Sequence, residues 1–194
     1  MTSTAKATRR LVAAVAVAGL SLTVAACGDD TTTHDASSER TASNGDVLND
    51  ADVAFATAMI PHHAEALSMV DLTQGRPLSP AVRRLAVQIR EAQAPEIEQM
   101  VDWLTAWGEP VPATMRDHVH GDHPDDQMAE LESAPDGSFE DVWLQAMIEH
   151  HEGAVAMAHD EQEDGTFGPA VDLAGSIVTS QQDEIDRMQA LLED

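Results

Sequence analysis

Two short segments of this chain place sulfur and imidazole side by side. Met59-Ile60-Pro61-His62-His63 recurs 88 positions later as Met147-Ile148-Glu149-His150-His151, and the match extends to Ala66/Ala154 and Met69/Met157. Each copy carries a histidine pair with a methionine three residues before it and another seven residues after its first member. On a helix these spacings bring the groups to one face. Ferritin-like di-iron bundles use Glu-x-x-His at such positions. Here both copies read Met-x-x-His, with a soft thioether in place of a hard carboxylate. Thioether and imidazole together select soft or borderline ions, above all Cu(I), with Ag(I) as its mimic. The chain has nine Met and nine His but only three Phe and no Tyr. Methionine also fills cores, so each position has a packing reading beside the ligand reading.

The elements that must position these groups repeat as well. Leu85, Ala86, Ile89, Gln93, Glu96, Ile97, Met100 and Leu104 equal Leu173, Ala174, Ile177, Gln181, Glu184, Ile185, Met188 and Leu192 at the same offset. One offset over two segments marks a duplicated unit. The units span 52–107 and 140–194. In the first segment Phe55, Met59, His62, Ala66, Met69 and Val70 share a helical face, and the second segments show the same periodicity. Turn signals separate them at Gly75-Arg76-Pro77 through Pro80 and at Asp164-Gly165 through Gly168-Pro169. Pro61 removes one backbone bond and predicts a kink. A single helical hairpin cannot bury its apolar stripe, whereas two can. The expected fold is therefore all-α, an antiparallel four-helix bundle of two duplicated hairpins over residues 50–194. Pseudo-two-fold pairing would bring His62 and His63 close to His150 and His151.

Within each unit the expected ligand set is Met, His and Met on one helix and a Met on the next: Met59, His62, His63, Met69 and Met100, then Met147, His150, His151, Met157 and Met188. Adjacent histidines point about 100° apart on a helix, so one ring of each pair should face the bundle and the other its rim. Gln93, Glu96, Gln181 and Glu184 lie on the inner stripes. A buried Glu needs a partner, and the imidazoles are the candidates, which would make these residues a supporting shell that orients the rings.

The N-terminus carries a targeting pattern. Lys6, Arg9 and Arg10 precede an apolar run from Leu11 to Val24, and Val24-Ala25-Ala26-Cys27 resembles a lipoprotein lipobox. Residues 1–26 are expected to be a signal peptide. Cys27, the only cysteine, is expected to be lipidated, and 27–49 to form a flexible tether rich in Thr, Ser, Asp and Asn. A lone cysteine excludes an internal disulfide and a thiolate metal site. The formal charge is −25, and loss of the leader leaves thirty-five acids against seven arginines and no lysine. Such a surface excludes nucleic acid as a partner and attracts cations. The connection 108–139 contains His118, His120 and His123 among aspartates. A polar loop is the favoured reading there, with a divalent-ion site as the alternative. Asp125 or Asp126 could cap a short helix through Leu131.

The stretches "FATAMIPHHAEALSM", "AQAPEIEQMVDWL" and "WLQAMIEHHEGAVAMA" resemble the ferritin-like family of domain of unknown function 305, over about residues 46–194. The resemblance implies a four-helix bundle, export from the cytoplasm and, for some members, copper binding or tolerance. It maps onto the Met and His positions above and onto Gln93, Glu96, Met100, Gln181, Glu184 and Met188. The leading expectation is a non-enzymatic, membrane-tethered protein on the extracytoplasmic face that binds or sequesters Cu(I). The alternatives are a metal-dependent redox enzyme of ferritin-like type and a metal-free envelope interaction module. No nucleophile elbow, phosphate loop or Cys-His arrangement supports hydrolysis.

Overall fold

Apolar stripes at helical spacing generate four long helices in the computed structural model, which describes residues 38–114 and 126–193. They are α1 (Asp50–Asp71), α2 (Pro80–Trp107), α4 (Phe139–Asp164) and α5 (Gly168–Glu193), with a short α3 (Asp126–Ser133) before α4. The signal segment, Cys27 and the His118/His120/His123 string lie outside the described residues. Asn49 starts α1 with a capping box: its side-chain oxygen accepts from Asp52 N at 3.1 Å, while the Asp52 carboxylate accepts from Asn49 N at 2.6 Å. Ser79 caps α2 with Pro80 in the first turn, where its missing N–H costs nothing. Gly108 ends α2 at φ 76°, a left-handed position that suits glycine. Helix α1 continues through Pro61 without ending, and α2 likewise contains Pro95.

Three contacts between distant segments set the topology. Asn49 Nδ2 donates to Asp164 O at 2.7 Å, His62 stacks on His150, and Trp143 Nε1 donates to Met69 O at 2.9 Å. As the position on α1 rises, the position on α4 falls, so these helices run antiparallel. The Trp143 bond also satisfies a carbonyl in the last turn of α1, which has no partner within its own helix. His62 and His150 are equivalents in the duplication and touch each other, so the pseudo-two-fold axis passes between their rings. The same symmetry governs the ends. Asp52 Oδ1 accepts from Thr166 N and Phe167 N at 3.1 and 2.8 Å, clamping the turn of the second hairpin. Its equivalent, Glu140, accepts from Ser79 N at 2.6 Å in the turn of the first. Helices α2 and α5 flank this central pair, linked to each other by Arg187 Nη1 to Gln88 Oε1 at 3.1 Å.

The core follows the expected stripes. Phe55, Met59, Met69, Leu85, Ile89, Met100, Leu104, Leu173, Ile177, Ile185 and Met188 are buried. One correction concerns the N-terminal tether. Residues Arg40–Thr41 and Val47–Leu48 form an antiparallel hairpin, β1 and β2, turning at Gly45 with φ 95°. Leu48 is fully buried, Arg40 pairs with Asp50 and Glu109, and Trp107 Nε1 donates to Asp46 at 3.1 Å. The described end of the expected tether therefore packs on the start of α1 and the end of α2.

Beside the α4–α5 turn, the Glu161 carboxyl is 1 % exposed and set against Asp52. Burial first, and then the Asp52 carboxylate, push it up to about 9. The unfolded chain releases this proton above the ordinary value of 4.5 and the folded one only near 9, so stability falls as pH rises across that window. A glutamine amide in its place can donate to Asp52 without a proton to lose. Glu161→Gln is expected to raise the melting temperature at pH 8 by more than about 3 °C, the equivalent of roughly 1 kcal/mol, and to change it little at pH 4. Equal effects at both pH values in thermal melts would contradict this account.

Candidate metal centre

The two histidine pairs meet where α1 crosses α4. The His62 and His150 ring centroids are 3.8 Å apart with an interplanar angle of 38°. His63 and His151 lie on either side, each held by the following helix of its own unit. His63 Nε2 is 2.7 Å from Glu96 Oε2, and His151 Nε2 is 2.8 Å from Glu184 Oε2. The two contacts are equivalent in the duplication. An Nε2–H that donates to a carboxylate leaves the lone pair on Nδ1. In both rings that Nδ1 is buried without a partner. Carboxylate–imidazole pairs of this kind orient metal-binding histidines.

The expected division into one inward and one outward ring holds only in the first unit. His63 is fully buried and His62 is half-buried. In the second unit both rings are buried, because His150 packs on His62 at the centre of the α1–α4 contact. Burial first, then His63 and His151, push the His62 imidazole down to about 4. Burial, followed by His62, His151 and His63, takes His150 down to about 2. Both rings are therefore neutral, the ligating form, at any ordinary pH.

The methionines are distributed differently from the expected sets. Met59 and Met100 share one apolar cluster, against which Met157 of the other unit packs. Met147 and Met188 share the second, together with Met69 of the first unit. Antiparallel crossing explains the exchange: a residue two turns beyond the histidines on one helix reaches the level of the residues preceding them on the other. Each thioether set is thus assembled from both units. Met157 is half-exposed, whereas the other five are fully buried.

Gln93 and Gln181 are buried but make no hydrogen bond to a histidine; both amide atoms of Gln93 and Oε1 of Gln181 are unpartnered. The ring-orienting contacts are made by Glu96 and Glu184 alone. Two further residues at the centre were not legible from the repeated motifs. Glu65 Oε2 lies 3.8 Å from His150 Nε2, and Gly153 faces His62. They occupy equivalent positions, where the copies differ, and only a comparison of the two units for differences would have found them.

Among the described residues, no three His, Cys, Asp or Glu side chains converge in a geometry that would hold a metal ion. Five buried ring nitrogens have no hydrogen-bond partner: Nδ1 of all four histidines and Nε2 of His150, which has the Glu65 carboxylate 3.8 Å away. Unpaired buried polar atoms are costly. Neutral imidazole nitrogens suit borderline ions such as copper and zinc, and a thioether sulfur added to them would favour Cu(I).

A profile of the domain of unknown function DUF305 matches residues 52–192. The chain belongs to the DUF305 family. A DUF305 fragment from Deinococcus radiodurans is 31% identical, with a TM-score of 0.65 over 75% of this chain and 97% of that one. A DUF305 protein from Streptomyces coelicolor is 35% identical, with a TM-score of 0.65 over 74% of this chain and 92% of that one. CopM in its Cu(I)-bound form is 29% identical, with a TM-score of 0.62 over 73% of this chain and 95% of that one. CopM has also been solved with Cu(II) and with silver. Comparison with curated proteins gives no match.

Proposed function

We propose that this DUF305 protein binds and sequesters Cu(I) on the extracytoplasmic face of a membrane. The observation that carries the reading is the four-histidine centre with its unpartnered ring nitrogens; on α1 and α4 a buried methionine stands one turn before each histidine pair. His62, His63, His150 and His151 would hold the ion, together with Met59, Met100 and Met157 on one side or Met147, Met188 and Met69 on the other. Glu96 and Glu184 would fix the tautomers of His63 and His151. That CopM, of the same fold, has been solved with Cu(I) and silver bound supports the choice of a soft ion. Thioether sulfur gives Zn(II) little and Cu(I) much.

The test is a competition titration of the purified domain with Cu(I), Zn(II) and Fe(II). Cu(I) is expected to bind most tightly. A preference for Zn(II) would overturn the Cu(I) reading, and no binding of any of the three would leave the methionines and histidines as core residues of a metal-free module.

Membrane attachment rests on the lipobox-like Val24-Ala25-Ala26-Cys27, since among the described residues no helix is long and apolar enough to cross a bilayer. Cys27→Ala is expected to move the protein from the membrane fraction to the soluble fraction. Unchanged sedimentation with membranes would count against the lipid anchor.

A further inference from the structure

The two halves of the centre are not equivalent in how they meet solvent. Of the eight ring nitrogens, five are buried without a hydrogen-bond partner and two contact Glu96 and Glu184. Among the described residues, His62 Nε2 is the one ring nitrogen of the four histidines that is neither hydrogen-bonded to a named partner nor found fully buried. Beside its counterpart, His150 Nε2, stands the carboxylate of Glu65 at 3.8 Å, and that nitrogen is buried. At the position equivalent to Glu65 the second unit has Gly153. A Cβ there would lie 3.1 Å from His62 Nε2, closer than side-chain carbons normally approach. Gly153 lies inside α4 and has no left-handed backbone to accommodate. Glycine inside a helix costs about 1 kcal/mol relative to alanine, so it calls for a local reason, and the nearby imidazole supplies one.

We propose that Gly153 forms the port of this centre: its missing side chain leaves His62 Nε2 as the first ligand met by a soft cation arriving from solvent. The inference rests on the copper reading above and adds a direction to it. An ion can be taken up only where a lone pair faces the solvent, and in this centre that place is His62. Glu65 closes the equivalent route at His150, so the symmetric centre has one open side.

Two arms test this on the intact folded domain. The first needs no metal. Diethyl pyrocarbonate treatment of the apo protein, mapped by peptide mass, is expected to modify His62 several-fold faster than His63, His150 or His151, and Gly153→Ala is expected to slow His62 selectively. The second follows Ag(I) and Cu(I) uptake from a chromophoric chelator by stopped flow. Gly153→Ala is expected to slow uptake several-fold with little change in equilibrium affinity. Glu65→Ala, which uncovers His150 Nε2, is expected to accelerate it. Equal carbethoxylation of the four histidines, or uptake rates unchanged in both variants, would overturn the port. A wild-type protein that binds neither ion would overturn the copper reading instead, and the carbethoxylation arm would still decide whether His62 is the open ring.

Discussion

Replacing Met59 and Met147 together by leucine is expected to weaken Cu(I) binding by at least about a hundredfold, because loss of even an outer-shell partner costs about ten- to a hundredfold. Both side chains are fully buried, one in each apolar cluster. Burial alone explains a methionine there, since sealing such a side chain from water contributes about 1.5–3 kcal/mol. Leucine keeps nearly all of that contribution. Exchange of Leu and Met in a core usually costs less than about 1.5 kcal/mol, so the apo protein should melt close to wild type. The substitution therefore separates ligation from packing. Competition titration beside thermal melting decides the matter. Wild-type affinity in the double variant would confine the metal centre to its histidines.

The second large effect concerns acid. The His62 and His150 imidazoles are held below their ordinary 6.5, at about 4 and about 2. Unfolded histidines take up protons below pH 6.5, while the folded ones stay neutral. Their contribution to stability is therefore complete above pH 6.5 and is lost as pH falls from there to about 4 for His62 and about 2 for His150. Between pH 7 and pH 5 the apo protein is expected to lose roughly 7–15 °C more in melting temperature than a His62→Gln/His150→Gln variant, at about 2–4 °C per kcal/mol. A bound ion opposes the loss, because it binds only the neutral folded centre. The Cu(I)-loaded protein should keep its metal at pH 5, where an exposed imidazole site would release it. Metal release with a midpoint near 6.5 would show that these rings titrate as ordinary histidines.

Much of this centre was legible from the duplication. Equal offsets placed both histidine pairs on equivalent helices, and a two-fold then required them to meet. The inner-stripe position of Glu96 and Glu184 anticipated their contacts with His63 and His151. Helical periodicity gives the face of a residue, however, and says nothing about which neighbouring helix lies opposite. The exchange of Met69 and Met157 between the units follows from the antiparallel α1–α4 crossing, so each apolar cluster draws its methionines from both units. Periodicity likewise places Gln93 on the stripe of Glu96 without showing that its amide is left without a hydrogen bond. The hairpin at Arg40–Leu48 was missed because two-residue strands carry no periodicity and their polar composition reads as tether. The capping box of Asn49 and Asp52 is a local signal for the start of α1.

The rotation axis between His62 and His150 bears on how such a molecule could arise. One helical hairpin carries a single histidine pair and only part of each thioether set. Two identical hairpins facing each other across a two-fold would complete both, so a homodimer of half-length chains could have built the whole centre. Joining the halves in one polypeptide removes the need for identical sequences. Glu65 and Gly153 record that freedom: in a homodimer both sides would be closed or both open, and only the fused protein can have one of each.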